Sequence, residues 1–223
     1  MRLWETRNAA LHELRQSLGV ERDLIQQVFD FADRVINRFA ARRDEGPAWR
    51  VCGLAMVKGR NLSLGLYSLS LDGLAQEAGA LLRPLVETIE LLAYLRMSPA
   101  HVNEAIEDRL PLAGERAKKI QGSLKEMREY LNRHASHLSF SNESMGHLVD
   151  WQSANLKAAQ PHNTKVLRTN VGLVFAFLGL LGIEGAICLV HLGDLEAKQI
   201  ASESQNCWDT GIKVFYPDAK LSK

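Results

Sequence analysis

Arg128, Arg133, His134 and His137 are the side chains of this chain whose types and spacing could do chemistry. They lie in one basic run, REYLNRHASH, at residues 128–137. A neutral imidazole can take a proton from a ribose 2′-hydroxyl, and a guanidinium can stabilise charge on a phosphate, with no metal required. The set therefore suits cleavage of a phosphodiester. His134 would be the general acid or base, Arg128 and Arg133 would hold the phosphate, and His137 would support them. A helix turns about 100° per residue, so Arg133 and His137 share a face if the helix continues, while Arg128 and His134 diverge by about 120°. Their convergence needs a helix that frays near Asn132, or a symmetric partner. The structural reading of the same residues is a solvated helix C-terminus, where the dipole favours cations.

Arg83 and Glu87 form a second pair, four residues apart and so on one helical face. Leu81, Leu82, Leu85, Val86, Ile89, Leu91 and Leu92 leave that helix almost no polar face, which predicts that the pair is at least partly buried. Buried, it must be matched and hydrogen-bonded. It is expected to clamp its helix to the third or sixth; as a functional pair it would bind substrate, the Arg gripping an anion beside an active Glu. His134 and His137, with His147 or His162, could ligate a metal, but the carboxylate–His repeats of a di-iron bundle are missing. No phosphate loop, dinucleotide fingerprint or GxSxG elbow is present, so no metal or cofactor is expected. Lys165, Arg168 and Asn170 open an apolar helix, where an anion could sit.

The elements that must position these residues are helical. The 223 residues are 46% hydrophobic and 24% charged with a net charge of +1, which gives an ordinary soluble composition and no global field for nucleic acid or a membrane. The three cysteines, Cys52, Cys188 and Cys207, are far apart and form no CxxC, which favours a reducing compartment. Periodicity predicts helices over about 3–18, 20–43, 49–71, 74–97, a short one opened by Ser98-Pro99, and 113–134. Leu24, Val28, Phe31, Val35 and Phe39 make the core stripe of the second. Leu54, Val57, Leu62, Leu66 and Leu69 are the core candidates of the third, where Gly53, Gly59 and Gly65 permit close crossing. Pro84 predicts a kink near Ala80. An irregular region follows over 135–163. Residues 171–190 are apolar except for Glu184 and meet the length of a membrane span, but Glu184 is costly in lipid and a buried bundle helix is expected. That helix is expected to run past Gly193 toward Cys207, with 212–223 a docked extended tail.

Arg128, the polar Glu129 and His134 after five intervening residues resemble the signature of the HEPN superfamily, helical domains of prokaryotic toxins and defence proteins. The resemblance spans residues 49–137, and Glu129 departs from the commoner Asn or Asp. It implies a bundle of four or more helices, a dimer that pairs two motifs, and metal-independent RNA cleavage. LLRPLVETIELLAYL followed by LNRHASH also resembles a family of bacterial helical proteins of undefined role.

The expectation is one all-α domain, a bundle of about six to eight helices with a long loop before the last apolar helix. Residues 1–47 form an N-terminal hairpin, 48–137 a HEPN-like core, 138–163 the loop, and 164–223 the apolar helix and tail, with the fourth, sixth and 171–190 helices central. Two functions follow. One is a cytoplasmic metal-independent ribonuclease or nucleotide-binding effector, a homodimer acting on RNA and restrained by an antitoxin-like partner. The other is a non-catalytic scaffold that docks a protein partner through its long loop.

Overall fold

The computed structural model describes residues 4–122, 124–134, 149–150, 153, 155–156 and 162–218, with the backbone alone at 132–134 and 150. Among the described residues the chain is all-α, with nine α-helices. They are α1 (Glu5–Gln16), α2 (Gly19–Ala41), α3 (Pro47–Leu71), α4 (Ala75–Met97), α5 (Pro99–Ile106), α6 (Ala113–Lys119), α7 (Lys125–His134), α8 (Thr164–His191) and α9 (Ala197–Phe215). A two-residue antiparallel ladder, Val149–Asp150 with Asn155–Leu156, is the one departure from helix and lies in the region expected to be irregular.

Local chemistry explains most boundaries. α2 is amphipathic and buries Leu24, Val28, Val35 and Phe39 of its predicted stripe, while Phe31 is only half-buried and Phe29 takes a core place beside Val28. Pro47 occupies the first turn of α3, where its missing N–H is not needed. The Ser98 hydroxyl accepts from the Ala100 N–H at 3.2 Å to open α5, and the Asn163 side chain accepts from Val166 N–H at 3.0 Å to open α8. Gly193, at φ +94°, turns the chain out of α8 in a conformation that L residues rarely adopt. α8 therefore stops at His191 instead of running on toward Cys207. α4 stays helical through Pro84, and the Thr88 hydroxyl donates to the Pro84 carbonyl at 2.7 Å.

Two further segments differ from expectation. The helix predicted over 113–134 is two helices, because Gln121 adopts φ +52° and the chain turns there through Gly122. The tail is helical as far as Phe215, not extended: Ile212 and Phe215 recur at helical spacing and bury against the core.

α8 is the axis of the bundle, packed against α2, α3, α4 and α9. By length and composition it is apolar enough to cross a membrane, and 61% of its most apolar window is buried inside the chain. Encirclement by other helices accounts for an all-round apolar surface. Glu184 of α8 pairs with Arg96 of α4. The central helices are thus α8 with α2, α3 and α4, not the segment 113–134, of which α6 and α7 cover α4 from outside. Because α2 packs on α3 and α8 as well as on α1, the N-terminal hairpin belongs to the common core.

Ion pairs tie the ends of these helices together. Arg7 of α1 grips Asp72 with two hydrogen bonds of 2.6 Å. Arg38 of α2 holds Asp194, buried in the α8–α9 turn, and keeps its carboxyl below the usual carboxylate range. Such bidentate pairs select one docking geometry, since a guanidinium fork accepts a carboxylate in few orientations.

Candidate functional site

Arg83, Glu87, Glu90 and Tyr94 are spaced four, three and four residues apart, so they form one polar stripe down α4. α6 and α7 pack on this helix. At one end, Tyr94 donates to Glu104 at 2.7 Å, receives Lys119 at 3.3 Å, and stacks on His101 with ring centroids 3.7 Å apart. At the other, Arg83 donates to Glu87 at 3.0 Å within the helix. That pair is half-exposed and internal to α4, so among the described residues it does not clamp a second helix as its apolar neighbours had implied. Exposed i,i+4 pairs contribute about 0.3–0.5 kcal/mol. Replacing Glu87 with Ala is accordingly expected to lower stability by less than about 1 kcal/mol. A urea titration checks this, and a loss of several kcal/mol would return the pair to a buried structural role.

The middle of the stripe carries the unusual chemistry. Glu90 is 3% exposed and its carboxylate lies 3.2 Å from Nε of Arg128, whose side chain is 14% exposed. The approach is not aligned as a hydrogen bond, and neither Glu90 oxygen nor the Arg128 Nε has a hydrogen-bond partner among the described residues. Burial raises the Glu90 pKa; Arg128 and Arg116 oppose that rise and Glu87 adds to it. Glu90 borders a cleft of about 490 Å³ shared with Arg96, Gln121, Leu124 and Glu184. Gly122 lies close at its edge, where a Cβ would stand 3.1 Å from Glu90 Oε1. Arg96, the cation lining the cleft, is matched by Glu184, and Arg128, which reaches Glu90 from α7, is matched by that carboxylate. A phosphate entering it would first have to displace a carboxylate from one of them.

The residues singled out in the sequence separate accordingly. Arg128 lies at the α4–α7 junction, ion-paired and largely buried, on the same side of α7 as Leu131. α7 is helical through His134, so positions 128 and 134 keep their divergence of about 120° and the helix does not fray at Asn132. The side chains of Arg133 and His134, and the whole of His137, lie outside the described residues, as do His147 and most of the long loop. No group of three or more potential metal ligands occurs among the described residues. Arg168 is engaged with Glu21 at 2.8 Å and the Val214 carbonyl at 2.6 Å; it ties α8 to α2 and α9 instead of awaiting an anion.

A different surface was not anticipated. Of the α3 core candidates, Leu66 is buried and Leu62 and Leu69 are half-buried, but Leu54 is 70% exposed and Val57 is also exposed. The buried face runs through Cys52, Met56, Gly59, Ser63, Leu66 and Ser70, and Leu54 lies on the opposite side of the helix. Leu54, Val57 and the exposed Leu64 share that outer face. Leu54 and Val57 join Ile36, Phe39 and Ala40 of α2 in an apolar groove of about 260 Å³. Arg43 and Arg50 stand at its rim, and Arg50 is exposed and unpaired among the described residues. The available signal was that α3 carries apolar residues all round its circumference, more than one core face can use.

No protein-family profile matches this chain, and no curated protein or solved structure does so either.

Proposed function

We propose that this chain is a non-catalytic helical module that docks a protein partner through the α2–α3 groove. The observation that carries this reading is the apolar groove itself, with Leu54 70% exposed at its lip and two arginines at its rim. A large exposed leucine beside an open apolar groove is the anchor site of helix-in-groove recognition. The complementary occupant is an amphipathic helix with apolar anchors and flanking carboxylates. A two-fold copy of this chain would set Arg43 and Arg50 against like charges, which disfavours self-association on this face. The matched state of Arg128 supports the same reading, since a guanidinium held by Glu90 is not free for phosphate. A cytoplasmic location goes with this reading, in which α8 serves as the bundle core and 61% of its most apolar window is covered by the chain itself.

The test uses a labelled synthetic helix bearing leucines on one face and glutamates beside them. Leu54→Glu and Arg50→Glu are each expected to weaken its binding by about tenfold or more, equivalent to about 1.4 kcal/mol, with the melting temperature unchanged. Equal binding by all three proteins would remove the groove from the argument. A dimer seen by light scattering and dissolved by Leu54→Glu would assign the face to a second copy.

The metal-independent ribonuclease is the second reading, favoured by a specific observation. Glu90, whose pKa burial raises, can take a proton and so release Arg128 to a phosphate, while the unbroken α7 leaves a symmetric partner as the route by which Arg128 and His134 would meet. RNA cleavage that resists EDTA and is lost in His134→Ala would establish it. No cleavage by the purified protein would leave the docking module.

A further inference from the structure

We infer that Cys52 and Cys188 are a redox-active dithiol, which closes into a disulfide by exchange with a small disulfide admitted through the cavity they share. The two residues are 136 positions apart and come together because α3 packs on α8. Both line one cavity of about 510 Å³, with Trp49, Leu95, Val102 and His191 among its walls. Both are free and buried, and each thiol shifts the acidity of the other. The cavity is large enough to admit a small ligand beside both residues. Here the apolar walls suit the body of a small disulfide. The His191 side chain is exposed at the edge of the same cavity, so the site communicates with solvent.

The two thiols differ in a way that assigns their order of reaction. The interaction with the Cys188 thiol lowers the Cys52 pKa against burial, and the partner thiolate together with burial raises that of Cys188. The thiolate is the nucleophile in such exchange, so Cys52 attacks first. Its thiolate forms a bond to one sulfur of the small disulfide; the S–S bond breaks and one small thiolate leaves. That thiolate takes up the proton of Cys188, which until then donates to the Leu92 carbonyl at 3.4 Å. Cys188 then attacks the sulfur of Cys52, expelling the second small thiolate, which takes up the proton Cys52 had lost. The protein dithiol has given up two electrons and the small disulfide has become two thiols. The product staples α3 to α8 at the centre of the bundle. Cys207, on α9 and against the Gln27 side chain at 3.5 Å, stands apart from this cavity and has no role in the cycle.

The experiment treats the whole reduced protein with 2-hydroxyethyl disulfide and follows intact mass, peptide mapping and thermal melting. The expected result is loss of two hydrogens, a cross-linked peptide joining Cys52 to Cys188, and a higher melting temperature that dithiothreitol reverses. Cys207→Ser should behave identically. Cys188→Ala, with its fold checked by circular dichroism, should accumulate the mixed disulfide on Cys52. If Cys52 and Cys188 of the wild-type protein stay free under these conditions, or if the mapped bond involves Cys207, the inference is wrong. That experiment needs no variant to fold.

Discussion

Replacing Arg128 with Ala is expected to lower stability by about 3 kcal/mol, because it strands a buried carboxylate. Glu90 sits in the α4–α7 junction with no hydrogen-bond donor among the described residues, so Arg128 supplies its main compensation. Glu90→Gln removes the charge and should cost less. The double variant Arg128→Ala with Glu90→Gln should recover part of the loss, and a double-mutant cycle by urea denaturation measures that coupling. The pH dependence has a definite sign. Burial holds the folded-state Glu90 pKa above its unfolded value, so the folded state binds the proton more tightly. Stability from this group is therefore present at low pH and lost as pH rises through the raised pKa. Without Arg128 to oppose that rise the effect grows, so Arg128→Ala should lose least at mildly acidic pH and most at neutrality. An Arg128→Ala protein as stable as wild type at neutral pH would show Arg128 to be dispensable to the fold, and would reopen its candidacy as a phosphate ligand.

Leu181→Ala is expected to cost about 3 kcal/mol, within the usual range of about 2–5 for a buried leucine. Leu181 is fully buried at the middle of α8, and its side chain fills the notch that Gly59 leaves on α3. A Cβ at position 59 would stand 2.6 Å from Leu181 Cδ2, so the glycine and the leucine are complementary halves of one helix crossing. Truncating the leucine leaves a cavity lined by rigid helices that cannot collapse to fill it. Leu54→Ala, by contrast, should change stability by no more than about 0.5 kcal/mol, since the side chain already faces solvent. Urea denaturation of the two variants side by side is the measurement. Equal losses would mean that the outer face of α3 is buried, and the docking groove would go with it.

These two leucines mark where sequence reasoning reached its end. The all-α class, the stripe of α2, and the starts of α3, α5 and α8 were legible because each depends on local chemistry: a 3.6-residue period, a proline in a first turn, a side chain capping an N–H. Gly53, Gly59 and Gly65 were also legible as points of close approach, and Phe39, Leu181 and Leu81 are what approach them.

Other features depend on residues distant in the chain. α3 carries large apolar residues on its outer as well as its inner face, so periodicity names no single inner face; the position of α8 and α4 buried Met56 and left Leu54 outside. The break at Gln121 follows from a positive φ in a residue with no marked preference for it, and from Gly122 meeting Glu90 of another helix. The final helix reads as a polar tail until Gly211 is laid on the Phe175 ring and Phe215 closes the core. Arg128 carries the same side chain in either functional reading. Its composition and spacing marked it as chemically able, and only the fold, by setting a buried Glu90 against it, decided where its charge is spent. Local sequence determines most helices and their capped starts, because those choices are made within a turn or two. Which face is buried, which thiols meet and which cation is neutralised are set by contacts across the bundle, for which a single strand of sequence carries no periodic trace.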